Sequence, residues 1–226
     1  MMIEMQIPLL ILLLLNLKYV FIVYNGDFQK VATNLQLSEN VNYISPEMFQ
    51  KILDYCEKLP LYKVNPEDVK MIFKIAYHGG LRVNEVLKLR PKNIHFDMLE
   101  IELGQTKTEQ RGLASIPQSF VNELKEYVKD KDQVELLFPV SRQTAYDWLM
   151  RIGRALEITA LTTPQTETHE KTKTHIFRKS IGKDMLYKKA PLNIIQRKLR
   201  HNNINTTSEY LKIKLNDVKN WENENL

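Results

Sequence analysis

The 226-residue chain has a single cysteine, Cys56, so no internal disulfide can form and a four-thiolate zinc site is excluded. Cys56 continues the series Phe49, Ile52, Leu53, whose spacing is that of one helix face, and it is read as a buried core thiol. Histidine is also scarce. The five present are scattered, and the nearest pair, His169 and His175, has no ligand spacing, so no metal and no cofactor are expected. Repeats and low-complexity tracts are missing, which removes repeat architectures. A strong excess of one charge is missing as well. The formal net charge of +5 suits a polyanion but is too common to identify one. What the chain does have is 43% hydrophobic residues, the content of a globular protein.

The first forty-two residues stand apart. Ile7 to Tyr24 is almost wholly apolar and approaches the ~20 residues needed to span a bilayer. Asn16 and Lys18 interrupt it, and a central Lys costs roughly 2.5–3.5 kcal/mol on insertion. The residues before it carry Glu4 and no Lys or Arg, unlike a secretory leader. A packed segment is therefore favoured over a membrane anchor or a cleaved signal. Polar residues dominate from Gly26 to Asn42, which reads as a linker, so the division expected is 1–42 and a compact domain over 43–226.

Within that domain Ser45-Pro46-Glu47 combines an N-cap, a proline at the first helical position and an acid beside the helix dipole, predicting a helix to about Lys58. Asn65-Pro66-Glu67-Asp68 repeats the signal, Val69, Ile72, Phe73 and Ala76 supply the buried stripe, and Gly79-Gly80 stops the helix. Arg82 to Leu89 reads as a short helix ended by Pro91. Ile94 to Leu103 alternates as a strand or a strand pair turning at Asp97-Met98, and Gly104 to Gly112 is a polar hairpin tip returning through Leu113 to Ile116. Further helices are expected at Ser119–Val128, Ser141 to about Glu157, His175–Lys188, Pro191–Arg200 and Ile204 to about Val218, with a Thr-rich polar loop over Thr159–Thr174. The fold class is mainly α with a small antiparallel sheet (α+β).

Several polar residues are ordinary if taken singly. Arg82 and Glu85 read as a surface i,i+3 pair, Lys107 as a solvated hairpin tip, His175 as a helix cap, His201 as a loop residue and Tyr210 as a packed ring. Their order and spacing point elsewhere. His78-Gly-Gly-Leu-Arg82-Val-Asn-Glu85, then Gln105-Thr-Lys107-Thr followed by Ala114-Ser-Ile-Pro117, then His175-Ile-Phe-Arg178, then His201 and Tyr210 form four boxes in one sequence. Arg178 to His201 spans 23 positions, and His201 to Tyr210 spans nine. From Val41 to Lys214 the chain resembles the catalytic domain of the tyrosine recombinases, or phage-type integrases, whose boxes keep this order and these two spacings. No counterpart of that family's N-terminal core-binding domain is recognisable in residues 1–42. Two places depart from the pattern: Lys179-Ser180 stand where the family commonly has His-Thr, and Leu199-Arg200 where it has Leu-Gly. The second exchange costs ~1 kcal/mol or more if the backbone there is left-handed.

The resemblance implies a site-specific DNA recombinase that works by transesterification without metal or ATP. Tyr210 is then the nucleophile that forms a 3′-phosphotyrosyl link, and Arg82 and Arg178 are the phosphate clamp, suited to it because guanidinium presents a rigid, permanently charged fork. Lys107 becomes the acid for the leaving 5′-oxygen, His175 a proton-transfer partner, and His201 a donor to a phosphate oxygen, with Glu85 orienting Arg82 or capping a helix. Lys183, Arg197, Lys198 and Arg200, with Lys188 and Lys189, would meet the DNA backbone, or simply form a solvated basic face. Double-stranded DNA is the implied partner, a tetramer on DNA the implied assembly, and the cytoplasm the implied compartment. A DNA-binding remnant without turnover, a type IB topoisomerase and a membrane-anchored domain are the alternatives.

Overall fold

The computed structural model describes residues 43–59, 65–104, 112–162, 175–211 and 223. Expectations for residues 1–42, the hairpin tip with Lys107, most of the Thr-rich stretch and the helix beyond Leu211 lie outside these residues. Two proline-led helices open the fold. In α1 (Pro46–Cys56) the Ser45 hydroxyl accepts from the Met48 amide at 3.2 Å, and in α2 (Pro66–His78) the Asn65 side chain accepts from the Glu67 amide at 3.0 Å. Each cap satisfies one amide that the helix itself leaves unbonded. A one-turn helix, α3 (Val83–Val86), follows the Gly79-Gly80 stop.

Next comes a three-stranded antiparallel sheet in the order β1 (Ile94–His95), β2 (Glu100–Leu103), β3 (Gly112–Ser115). Ile94 faces Ile101 across the first pair and Ala114 faces Ile101 across the second. Alternation places Ile101, Leu103 and Ala114 in the interior and Leu113 outside. The strand pair turns over Phe96–Leu99, where Leu99 takes a left-handed backbone with φ 57°.

The rest is helical: α4 (Gln118–Val128), α5 (Arg142–Ala155), α6 (Thr159–Thr162), α7 (Ile176–Tyr187), α8 (Leu192–Leu199) and α9 (Ile204–Leu211). One expectation needs correcting. The Thr-rich stretch does not begin as a loop, because Thr159–Thr162 forms a helical turn packed on α5 with Ile158 and Leu161 buried. Burying two large aliphatic side chains, about 1.5–3 kcal/mol each, outweighs the weak helix propensity of threonine.

Two apolar clusters form among the described residues. The larger joins α1 to α6, the sheet and the start of α7, where Phe177 packs edge-on to Phe49 and obliquely on Phe73. Cys56 lies buried within it. The smaller consists of Ile195, Leu199 and Leu211, with Ile181, Met185 and Tyr210 against it. Gly182 lets these helices close: a Cβ there would lie 3.0 Å from Leu211 and 3.1 Å from Leu199. Among the described residues no helix is long and apolar enough to cross a membrane.

Candidate active site

Arg82 is set by the turn that ends α2. Gly80 takes φ +60°, a conformation that side chains rarely adopt, and this turns the chain so that Arg82 becomes the N-cap of α3. The Glu85 carboxylate closes the turn from the other side. Its Oε2 accepts from the Arg82 amide at 2.7 Å and its Oε1 from Arg82 Nη1 at 3.0 Å, so Glu85 both caps the helix and orients the arginine. Arg82 stays 45% exposed.

Arg178 lies on the first turn of α7 and is 1% exposed. Its Nη1 donates to the Gly80 carbonyl at 2.9 Å and its Nη2 to the Leu199 carbonyl, so one guanidinium ties the first arginine box to the end of α8. Burial, with the Arg200 and Arg82 guanidiniums, pushes Arg178 down to about 9, which leaves it cationic at neutral pH.

The end of α8 carries the feature raised by the sequence. Arg200 has φ 51° and ψ 45°; its amide donates to the Arg197 carbonyl at 3.0 Å and the His201 amide to that of Gln196 at 3.1 Å. That pattern is a Schellman turn, whose left-handed position is usually glycine, so Arg200 bears a backbone cost of roughly 1 kcal/mol. Its side chain folds inward. Nη2 donates to Glu85 Oε2 at 2.8 Å, while Nη1 is buried with no hydrogen-bond partner among the described residues. Burial alone would push the Glu85 carboxyl up, but Arg200, the Arg82 amide and the Arg178 and Arg82 guanidiniums outweigh it and hold the group below the usual carboxylate range.

The turn delivers His201 beside α9. Its Nδ1 lies 3.0 Å from the buried Thr207 hydroxyl, and its ring meets that of Tyr210 edge-on at 5.1 Å. Burial and the three arginines, Arg178 first, push the imidazole down to about 4. The Tyr210 hydroxyl donates to the His175 carbonyl at 3.4 Å. Arg82, Glu85, His175, Arg178, Arg200, His201 and Tyr210 are thus linked through direct contacts or near charges, although they come from four separate stretches. Thr207 is the member sequence reasoning missed; its only signal is the i, i+3, i+4 face it shares with Tyr210 and Leu211 on α9.

The basic residues nominated for DNA divide. Arg197 is exposed, and the Lys183 ammonium lies 5.9 Å from the Tyr187 ring. Lys188 pairs with Asp184 at 2.9 Å. Lys198 turns inward, donating to the carbonyls of His78 at 2.5 Å and Ser115 at 2.7 Å and to the Ser115 hydroxyl at 3.3 Å. Burial and then Arg200 push it down to about 8.

Known proteins share this fold. The chain is 25% identical over 182 residues to the tyrosine recombinase XerA of Saccharolobus solfataricus, covering 80% of this chain and 56% of that one. It spans about half the length of the curated relatives it matches. Its fold is similar to that of the XerH site-specific recombinase in a post-cleavage complex with a palindromic difH substrate, at a TM-score of 0.62 and 21% identity over 82% of this chain and 53% of that one. The catalytic domain of bacteriophage HP1 integrase is also similar, at a TM-score of 0.55 and 18% identity, covering 74% of this chain and 85% of that domain. Residues 42–216 match the phage integrase family, and the chain belongs to that family with the tyrosine recombinase catalytic-domain fold.

Proposed function

We propose that the chain is the strand-transfer part of a site-specific DNA recombinase. The observation that carries this reading is the gathering of three guanidiniums around one carboxylate, with the His201 imidazole and the Tyr210 ring beside those guanidiniums. So dense a positive site, with a hydroxyl nucleophile at its edge, suits a phosphodiester in transition toward five-coordinate phosphorus.

In the reaction Tyr210 Oη attacks phosphorus, the bond to the 5′-oxygen breaks, and that oxygen leaves as a hydroxyl with a proton from Lys107. The new 3′-phosphotyrosyl bond stores the energy of the old one, and an incoming 5′-hydroxyl reverses the step, so neither ATP nor a metal is needed. Arg82 and Arg178 neutralise the non-bridging oxygens, and their fixed fork geometry makes lysine a poor replacement. His201 is neutral at pH 7 and can donate from Nε2 while Thr207 donates to Nδ1. A phenol, with a reference pKa of ~10, is a weak nucleophile until its proton is taken, and the group nominated for this is His175. Double-stranded DNA is the substrate, and synapsis in a tetramer is the arrangement that would exchange strands.

The test uses the full chain with nicked suicide duplexes carrying candidate sites, followed by a denaturing gel. A covalent protein–DNA adduct that disappears in Tyr210→Phe is expected. An adduct that survives that substitution defeats the assignment of Tyr210, and DNA binding with no adduct at any site selects a binding remnant instead.

A further inference from the structure

We propose that Arg200 is a positioning residue for strand transfer, holding Arg82 in place through Glu85; this rests on the proposed function above. Neither this residue type at the turn nor its contact with Glu85 is required by the backbone. A glycine would complete the same Schellman turn without strain. Arg200 instead carries two unfavourable features at once, a left-handed backbone and a buried Nη1 with no partner among the described residues. Strain retained next to a candidate site is a reason to ask what it does there.

The geometry supplies the answer. The Glu85 carboxylate, only 16% exposed, takes the Arg82 amide, Arg82 Nη1 and Arg200 Nη2. Without Arg200 the carboxylate's hydrogen bonds would go to Arg82 alone, and the charge of that pair would cancel, leaving Arg178 as the nearby positive excess where a phosphate has to bind. With Arg200 on its far side the carboxylate is shared, so Arg82 keeps its orientation and the cluster keeps a positive excess. The same contact crosses 115 positions of sequence. It fastens the turn that carries His201 to the helix that carries Arg82, so the two groups keep a fixed separation.

The experiment compares wild type with Arg200→Gly, Arg200→Lys and Glu85→Gln in three measurements. These are single-turnover adduct formation on the duplex that the wild type cleaves, duplex affinity, and thermal midpoint. Arg200→Gly relieves the backbone as it removes the tie, so its midpoint should match or exceed the wild type while the adduct rate falls about tenfold to a hundredfold and affinity changes much less. Arg200→Lys keeps a charge without the fork and should recover part of the rate. Adding Glu85→Gln to Arg200→Gly should lower the rate by less than Glu85→Gln does in the wild type, since the two act as a unit. A wild-type rate in Arg200→Gly overturns the positioning role and leaves the proposed function standing. A rate loss matched by an equal loss of thermal midpoint across all three variants also overturns it, as a purely structural effect. No adduct from the wild type overturns both readings, and carbon NMR titration of Glu85 then still reports the tie, through a rise toward ordinary carboxylate behaviour in Arg200→Gly.

Discussion

At the scale of single residues, His201 and His78 are rings whose surroundings oppose protonation. Burial acts first on both; Arg178, Arg82 and Arg200 add to it at His201, and Lys198 adds to it at His78. Each is pushed down from 6.5 to about 4, so the unfolded chain takes up protons before the folded one as pH falls. The stability they contribute is fully present above about 6.5 and is lost as pH drops toward about 4. Glu85, held below its ordinary 4.5, loses its contribution only at more acid pH. Thermal midpoints should therefore fall between pH 6.5 and 4.5, and less steeply in His78→Gln. Parallel curves for the two proteins would show that this ring does not titrate as its surroundings demand. Arg178, by contrast, should remain charged throughout, because a guanidinium pushed down to about 9 is still protonated at every pH in that range.

At the scale of elements, the helix α8 holds the sheet through one ammonium. The three Lys198 contacts join it to the last carbonyl of α2 and to Ser115 at the end of β3, the strand that leads back from the hairpin tip. Removing a charged donor from the half-buried His78 carbonyl and the exposed Ser115 should cost about 1–2 kcal/mol, so Lys198→Met should lose that much unfolding free energy, through a lower denaturant midpoint with an unchanged slope. No loss in Lys198→Met would mean that water replaces the ammonium without penalty. This contact also marks the limit of what was legible in the sequence. Starts such as Ser45-Pro46 and Asn65-Pro66 could be read because capping is local chemistry, and the sheet could be read because its alternation survives in short strands. The inward turn of Lys198 could not be read, since its acceptors are backbone carbonyls 83 and 120 positions away and carry no side-chain signature. The same holds for Arg200, whose backbone cost followed from the glycine it replaces while its carboxylate partner did not. For Thr159–Thr162, threonine content hid a helical turn that Ile158 and Leu161 hold by burial.

At the scale of the whole described fold, the two apolar clusters divide the site between them. Arg178 is mounted on α7 beside Phe177, deep in the larger cluster, whereas Tyr210 rests on the smaller one formed by Ile195, Leu199 and Leu211. A cluster of three buried side chains opens at lower free energy than one that spans six helices and a sheet. Native-state hydrogen exchange should accordingly find the amides of α8 and α9 opening ahead of those of α1, α2 and α7. Equal protection throughout would show a single cooperative unit instead. The Arg178 guanidinium is enclosed and the Tyr210 hydroxyl is engaged with the His175 carbonyl, so under the proposed function a phosphate would reach both groups only after some movement at this end of the fold. The close approach at Gly182 sets how tightly this end of the fold shuts. Leu199 and Leu211 both press on a residue with no side chain, so even the single methyl of Gly182→Ala must push one of these two helices aside.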